Sequence, residues 1–352
     1  MTIKGIWKLY RSKVGFETLP LSKLAGTLVA IDAFSILYEN RSVAKTRYLR
    51  NFNPFSCQVD EEAIDSVWLD MLFKTIIGYM SCGVTPVLVF DSLSNDSLKV
   101  PTLRSRTATV DCYSNKLQGL LDAYKDIDPD LVPNNVISDA NSLLAYINLM
   151  PSTSVGKAKR MCKTIGVPYV FCNGEGERTC SLMNNAGIVS AIISPDSDSL
   201  CCGAQLVLKE KCDVQVGNSN EKGYKAARLS SFLEYLSLDF DTFQDLCIMS
   251  GTDFNENIRG ISLIKSHNLL KKHGSFEEIC KVKDCTILNR DEVKKRFAII
   301  PWEETVKTCC LEYGLSEEGS FELFGIDIHR DTYERLRDEC IRLRKQALNL
   351  DN

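Results

Sequence analysis

The sequence predicts an α/β protein with a doubly wound, mainly parallel sheet, and three observations support this class. Short runs rich in Val and Ile recur along the chain and lead to acidic residues. Stretches with helical spacing of apolar residues lie between these runs, as in sheets whose strands alternate with crossover helices. The composition, 44% hydrophobic and 25% charged over 352 residues, is sufficient for a sizeable core.

The first strand–helix–strand unit comes from residues 27–91. Residues 27–31 form an apolar run that stops at Asp32, and residues 86–90 form a second run that stops at Asp91. Between them, residues 60–82 carry apolar side chains at helical spacing, and Gly83 follows as a stop signal. These strands are short and buried, which is typical of parallel sheets.

Two further runs bring four more acids to the ends of strands. Residues 167–171 precede Glu175 and Glu177, and residues 187–193 lead to Asp196 and Asp198. In doubly wound sheets the ligand crevice lies at the carboxyl ends of the strands. We therefore expect these four acids, with Asp32 and Asp91, to face one crevice.

A single aspartate after a strand is usually a turn residue or a helix N-cap, and this alternative stands for each acid taken alone. Six carboxylates at one edge are harder to explain in that way, because clustered negative charges repel unless cations neutralise them. Mg²⁺ or Mn²⁺ is the natural choice for oxygen ligands, and two such ions can clamp a scissile phosphate. The pattern therefore indicates metal-dependent phosphoester chemistry.

The remainder of the chain divides around this core. About 80 residues separate Asp91 from Glu175, too many for a plain crossover, so we expect an inserted subdomain. From about residue 236 the pattern is helical, with Ser262 as a helix cap and Gly274 as a stop. The pattern divides the chain into an N-terminal α/β region (residues 1–100), an inserted cap (101–150), an internal α/β region (151–235), a helical region (236–280) and a helical C-terminal region (281–352).

Several function classes are excluded by composition. Fifteen cysteines occur without a CxxC pair or a secretory signal, which indicates free thiols in a reducing, intracellular compartment. No apolar run approaches the length of a membrane span, so no membrane partner is expected. The net charge of −4 does not exclude a nucleic-acid partner, since a cluster of catalytic acids lowers the average around a basic face.

The motifs themselves resemble those of the flap endonuclease/XPG family of structure-specific 5′ nucleases, which have a PIN-like fold. The matching segments appear in the family's order over roughly residues 1–280: 3–9, 29–33, 83–91, 166–169, 174–180, 194–198, and 245–254 with 258–261. The resemblance implies that residues 1–100 and 151–235 are the N-terminal and internal nuclease regions. It implies that residues 101–150 form a helical arch and that residues 236–280 form a helix–three-turn–helix that binds DNA. It also implies seven metal-site acids, none of which is replaced here: Asp32, Asp91, Glu175, Glu177, Asp196, Asp198 and Asp253.

The resemblance also implies roles for residues that spacing alone would leave on ordinary surfaces. Lys99 and Arg106 match a basic pair that contacts the scissile phosphate, although each alone is typical of a solvated helix face. Tyr38 matches an aromatic residue that stacks on a base, with a core position as the alternative. The expected cofactors are two Mg²⁺ ions, which Mn²⁺ can replace, and a K⁺ ion at the helix–three-turn–helix.

The expected DNA contacts beyond the acid cluster lie around the turn at Gly260. Backbone amides and a helix N-terminus can hold a phosphate there, and nearby cations add charge. The residues predicted for this contact are Arg259, Gly260, Lys265, Lys271 and Lys272. An ordinary helical hairpin with a basic face is the alternative.

Taken together, the sequence predicts a metal-dependent 5′ nuclease acting on branched or nicked DNA, most simply a 5′-flap endonuclease of replication, repair or recombination. The arch departs from the family, because residues 101–150 hold four basic side chains against six aspartates. A 5′→3′ exonuclease or a junction-resolving nuclease therefore stays open, as does a silent nucleic-acid-binding scaffold. The tail shows no sliding-clamp peptide. The resemblance implies nuclear residence, and a cytoplasmic, for example viral, replication site stays open.

Overall fold

The structure is a computed structural model that describes residues 3–91, 97–147, 149–172, 174–217, 219–301, 304–305 and 310–312. Within these residues, eight strands form one sheet: β1 Glu17–Pro20, β2 Leu28–Asp32, β3 Thr85–Phe90, β4 Tyr169–Phe171, β5 Ala191–Ile193, β6 Leu206–Val216, β7 Ser219–Arg228 and β8 Cys310–Glu312.

The strand order across the sheet is β1-β7-β6-β5-β2-β3-β4-β8. The five central strands, from β6 to β4, are parallel, whereas β7, β1 and β8 are antiparallel additions at the two edges. This arrangement confirms the predicted doubly wound, mainly parallel sheet. The two edges differ from the prediction, because the pattern analysis contained neither the β6–β7 hairpin nor a strand at β8.

Thirteen α-helices surround the sheet in the described portion of the chain. Their bounds are α1 Ile6–Lys13, α2 Ala33–Leu49, α3 Glu61–Ser81, α4 Val100–Ala123, α5 Asn134–Tyr146, α6 Ser152–Thr164, α7 Gly176–Asn185, α8 Asp198–Cys201, α9 Leu229–Leu236, α10 Phe240–Ser250, α11 Leu263–His273, α12 Phe276–Cys280 and α13 Arg290–Phe297.

Both faces of the sheet are covered, and the central strands alternate between them as period-2 geometry requires. Leu28 and Ala30 of β2 point to a core shared with α1 and α7–α13, whereas Val29 and Ile31 point to a core shared with α2, α3 and α6. Trp68 of α3 is fully buried in the second core and donates its indole N–H to the Leu37 carbonyl at 2.9 Å. The strand ends are therefore held between two packed layers.

The predicted arch is a helical hairpin, α4 and α5, inserted between β3 and β4. No residue of α4 is buried, and α5 buries only Val136 and Ala140. Hydrogen bonds from three polar side chains connect α5 and the residues after it to α2. Asn141 of α5 donates to carbonyls at the end of α2, and Lys45 and Arg41 of α2 donate to the carbonyls of residues 147 and 149.

The predicted division into five regions stays a prediction. Of the region 281–352, the structure describes α13 and β8, and residues 302–303, 306–309 and 313–352 lie outside the described residues. The C-terminal tail, in which the sequence shows no sliding-clamp peptide, also lies outside the described residues.

Candidate active site

A cavity of about 590 Å³ lies at the carboxyl ends of β2, β3 and β5, where a doubly wound sheet is expected to place its ligand. All seven predicted metal-site acids line it: Asp32, Asp91, Glu175, Glu177, Asp196, Asp198 and Asp253. Lys99, Arg106 and Tyr38 line the same cavity. Six of the acids arrive from strand ends and the adjoining helix starts, and Asp253 arrives from the loop after α10.

One group of cavity acids consists of Asp32 and Asp91, which follow the parallel strands β2 and β3. Asp32 caps α2 by accepting the Phe34 N–H at 3.1 Å, and Asp91 accepts the Gly176 N–H at 2.6 Å. Burial, followed by repulsion from Asp91, raises the pKa of Asp32 to about 7. Burial and the charge of Glu175 raise the pKa of Asp91 to about 6. The N-cap alternative is thus true of Asp32 as well, since its carboxylate both caps a helix and faces the cavity.

A second group of cavity acids consists of Glu177, Asp196 and Asp198. Hydrogen bonds to nearby groups hold their carboxylates in place. Glu177 accepts the Ser194 hydroxyl at 2.8 Å and the Ser199 N–H at 3.2 Å, and Asp198 accepts the Ile3 N–H at 3.1 Å. Burial and then the charges of Asp196 and Asp198 raise the pKa of Glu177 well above its ordinary value. The pKa of Asp198 is raised well above its own ordinary value, by burial first and by the charge of Asp196 second.

Two cations reach into this acidic cavity from the start of the arch. The Lys99 ammonium forms an ion pair with Glu175 and lies 5.3 Å from the centre of the Phe254 ring. The Arg106 guanidinium is 3.3 Å from the Asp253 carboxylate. Lys99 is only 19% exposed, whereas Arg106 is 54% exposed. The predicted basic pair therefore lies with the predicted acids, and Lys99 is the more enclosed member.

The residues present fit hard divalent cations in their chemistry. Among the described residues, no three Asp, Glu, His or Cys side chains meet as a ready-made metal site. The donor set is nevertheless all oxygen, the preference of Mg²⁺ and Mn²⁺. Burial first, and repulsion from a neighbouring carboxylate second, raise the pKa values of four of its members. Bound cations would remove that repulsion.

Tyr38 lies on the cavity wall rather than in the core. Its side chain is 41% exposed, and its ring centre lies 6.2 Å from that of Phe34. The Tyr38 side chain is therefore partly accessible at the cavity wall. The stacking role stays a prediction, and the core alternative does not fit the exposure.

The predicted DNA-contact residues of the helix–three-turn–helix do not line the cavity, although Asp253 of the same region does. Gly260 has a φ of +79°, a conformation that favours glycine, and its carbonyl accepts the Lys265 ammonium at 2.9 Å. Ser262 precedes α11 as predicted but makes no side-chain cap bond, whereas Ser275 accepts the Glu278 N–H at 3.3 Å. Because the Lys265 ammonium already binds one carbonyl of this turn, it would compete with the expected K⁺ ion for that oxygen.

The remaining predicted DNA-contact residues are exposed cations on this element. Arg259 belongs to the turn, and Lys271 and Lys272 belong to the last turn of α11. None of them lines the cavity described above. Their role in DNA contact stays a prediction.

Three further cations on the cavity wall were missed by the sequence reasoning. They are Arg178 of α7 and Lys295 and Arg296 of α13. Arg178 donates to the Ala298 carbonyl at 2.9 Å, while its buried Nε has no hydrogen-bond partner among the described residues. The position of Arg178 directly after Glu177 could have suggested it, but no local signal links α13 to the strand ends.

The fold and the acid cavity define a PIN-like α/β protein, and comparisons with known proteins identify the family. The XPG N-terminal domain model matches residues 1–111, and the XPG I-region model matches residues 166–253. The chain belongs to the flap endonuclease/XPG family. No described helix is both long and apolar enough to cross a membrane.

Among curated proteins, the chain is similar to flap endonuclease 1 of Glycine max, at 29% identity over 79% of this chain and 68% of that protein. It is 26% identical to flap endonuclease 1 of Babesia bovis over 79% of this chain and 38% of that protein. For the Theileria annulata protein the identity is 27%, with 80% and 52% covered. The chain thus spans about half the length of several of these relatives.

Solved structures share the fold at lower identity. Flap endonuclease-1 from Methanococcus jannaschii matches with a TM-score of 0.54 at 20% identity, over 93% of this chain and 95% of that one. The catalytic core of Rad2 in complex with DNA substrate matches with a TM-score of 0.56 at 16% identity, over 97% and 99% of the two chains. These matches agree with the PIN-like class.

Proposed function

We propose that this protein is a metal-dependent 5′ nuclease that hydrolyses phosphodiester bonds in branched or nicked DNA, with 5′ flaps as the first candidate substrate. The observation that carries the proposal is that one cavity is lined by seven carboxylates, by the cations of Lys99 and Arg106 and by an exposed tyrosine. Family membership supports the same function. The alternative of a silent scaffold gains no support from the site, since all seven acids are present.

The carboxylates would hold two Mg²⁺ ions, or Mn²⁺ in their place, and ions so bound polarise a phosphate and lower the pKa of an attacking water. The chain's own groups orient these ligands. The Gly176 N–H fixes Asp91, the Ser194 hydroxyl fixes Glu177 and the Ile3 N–H fixes Asp198. Such bonds hold the ligand oxygens in place before the metal binds.

Lys99 and Arg106 would stabilise the negative charge that builds on the phosphate during cleavage. Both already lie beside carboxylates of the cavity, so a phosphate entering there comes within their reach. Charge stabilisation in a partly enclosed site is stronger than in water. Lys99, with the smaller exposed fraction, is the main candidate for this role.

Duplex binding would use the exposed turn and helix that carry Arg259, Gly260, Lys265, Lys271 and Lys272. Backbone amides and cations at such a turn contact phosphates without reading sequence. Tyr38 would cover the base next to the cleaved bond, offsetting part of the unstacking cost. DNA at a nuclear or cytoplasmic replication site is the corresponding cellular target.

A second candidate keeps the chemistry and changes the substrate. Six aspartates against four basic side chains in residues 101–150 should weaken the electrostatic hold on a single strand. A 5′→3′ exonuclease on nicked DNA or a junction-resolving nuclease would depend less on that hold. Cleavage of flap, nicked, blunt and four-way substrates side by side separates these candidates.

The experiment that tests the proposed function is cleavage of an end-labelled 5′-flap duplex with Mg²⁺ or with EDTA. Asp196→Asn should lower the cleavage rate by roughly 10³-fold or more, since it removes a metal ligand from the reaction centre. DNA affinity should stay similar or increase, because a negative charge is lost. The matched control is Asp213→Asn, which changes an exposed aspartate paired with Lys222 outside the cavity.

Full activity of Asp196→Asn would contradict the metal-site assignment. Binding of every substrate without cleavage of any would favour the silent scaffold. Cleavage of nicked or four-way DNA with intact flaps would leave the chemistry in place and move the substrate to the second candidate.

A further inference from the structure

The face of α4 that enters the cavity continues outward along the arch. Lys99, immediately before α4, and Arg106 both line the cavity, and they are seven residues apart. Seven residues are close to two helical turns, so Tyr113, seven residues after Arg106, falls on the same face with a drift of about 20°. At 1.5 Å per residue it lies about 10 Å further along α4 than Arg106.

Tyr113 does not stand alone on this face. Its ring stacks on Tyr146, the last residue of α5, with ring centres 4.8 Å apart and an interplanar angle of 10°. The Lys116 ammonium lies 5.8 Å from the centre of the Tyr113 ring. Tyr146 is 65% exposed, so most of its outer surface is open to solvent.

A flat aromatic surface beside a cation is the arrangement that binds successive bases of single-stranded nucleic acids. Stacking of this kind tolerates any base, because every base has a π-face. It also differs from phosphate contacts in depending little on net charge. This matters in residues 101–150, where aspartates outnumber basic side chains and a purely electrostatic hold would be weak.

We propose that Tyr113 and Tyr146 form a stacking platform for a base of the single-stranded segment that leaves the cavity along α4. The inference rests on the proposed function, since it assumes that the DNA strand is bound at the acid cavity. The ligand class is single-stranded DNA, recognised by its bases rather than by its phosphates. Tyr113 supports the platform, and the exposed ring of Tyr146 makes the contact.

The test compares Tyr146→Ala and Tyr146→Phe with the wild-type protein in binding to a 5′-flap duplex. Binding is measured in EDTA so that no cleavage intervenes. Tyr146→Ala should weaken binding about tenfold, the size expected for one lost base stack, whereas Tyr146→Phe keeps the ring and the affinity. The matched control is Tyr235→Ala, which removes a 39%-exposed tyrosine of α9 outside the cavity lining.

A second substrate separates stacking from a structural role of the ring. A flap of the same length built from abasic residues has phosphates but no bases, and a nicked duplex has no flap at all. If Tyr146 stacks on a base, Tyr146→Ala should lose nothing on either substrate, as in a double-mutant cycle.

An equal loss on the abasic flap or the nicked duplex would overturn the proposal, because the ring would then act only by holding α4 against α5. An unchanged affinity of Tyr146→Ala for the normal flap would overturn it as well. Failure of the proposed nuclease function is distinguishable, since it appears as absence of Mg²⁺-dependent cleavage by the wild-type protein, whatever the binding data show.

Discussion

The acid cavity and the arch are neighbours that are held in place in opposite ways. The cavity acids follow strands whose two faces are packed, and their carboxylates are fixed by backbone N–H groups and hydroxyls. The arch rises from the same edge, yet α4 buries no residue and α5 buries two. The proposed chemistry thus lies in a region with packed strands and hydrogen-bonded carboxylates, and the proposed strand contact lies in a region with few buried residues.

This difference has an energetic meaning. Segments with few buried apolar contacts open at a lower free-energy cost than the core does. The arch is retained by a small number of polar bonds, among them those of Asn141 to the carbonyls of Leu49 and Phe52 at 3.1 and 2.8 Å. We therefore expect the arch to open and close while the carboxylates keep their geometry.

Among the substitutions that compare the two regions, the largest effect is expected where the regions meet. Lys99→Ala should lower the cleavage rate about 10²- to 10³-fold, because an enclosed cation next to Glu175 is lost from the transition state. Arg106→Ala should cost less, since its more exposed guanidinium is better screened by water. Single-turnover cleavage of the flap substrate measures both.

Lys125→Ala is the control for that pair, because it removes an arch lysine that does not line the cavity. Its rate should match that of the wild-type protein. Equal losses for Lys125 and Lys99 would mean that arch charge in general, rather than a placed cation, supports cleavage, and the contrast between the two regions would fail.

An intermediate effect concerns the stability of the cavity without metal. Folding raises the pKa of Asp32 to about 7 and that of Asp91 to about 6, from an ordinary value of 3.8. Between the ordinary pKa and the raised pKa of each group, the folded state binds more protons than the unfolded state. The free energy of unfolding therefore falls as pH rises from about 4 to about 7. Mg²⁺ binds the ionised carboxylates and should therefore stabilise more strongly at higher pH.

Thermal unfolding at about pH 5.5 and about pH 8, with EDTA or Mg²⁺, measures this effect. We expect a metal-induced rise in Tm of roughly 5 °C at the higher pH and a smaller rise at the lower one. Asp32→Asn should flatten both dependences, whereas Asp213→Asn should leave them unchanged. A larger Mg²⁺ effect at low pH would contradict the assignment of the raised pKa values to metal-binding acids.

The smallest expected effect belongs to the arch. Asn141→Ala removes two hydrogen bonds that hold α5 to the end of α2, and should lower the free energy of unfolding by about 1 kcal/mol. Proteolysis between α4 and α5 should become faster, while the Mg²⁺-induced change in Tm stays that of the wild-type protein. If the Mg²⁺ response changes as well, the arch and the cavity are mechanically coupled and the two regions are not independent.

The sequence was most informative where one local pattern determines both position and chemistry. A buried run that ends in an aspartate places Asp32 and Asp91 at adjacent strand ends, because parallel strands finish at the same edge. Asp253 lacked such a pattern, since it follows a helix, and only the family resemblance assigned it to the site. Lys295 and Arg296 had no signal at all, because α13 reaches the cavity through tertiary packing alone.

The β6–β7 hairpin shows the opposite limit. These strands run Leu206–Val216 and Ser219–Arg228, and only the first three residues of β6 form an apolar run. The rest is interrupted by Lys and Glu, so the pattern does not predict two long strands. They pair antiparallel beside β5, and cross-strand ion pairs such as Lys225 with Glu210 accompany the pairing. Strands of this composition are fixed by register with their neighbour rather than by periodicity.

The missing side chain of Gly176 limits which residues the chain can carry at this position. A Cβ at this position would lie 2.3 Å from an Asp91 carboxylate oxygen and 3.4 Å from one of Asp32. The carboxylates can close on this backbone only because no side chain is there, and a single methyl group would push them apart. We therefore expect position 176 to reject every side chain, although glycine contributes no functional group of its own.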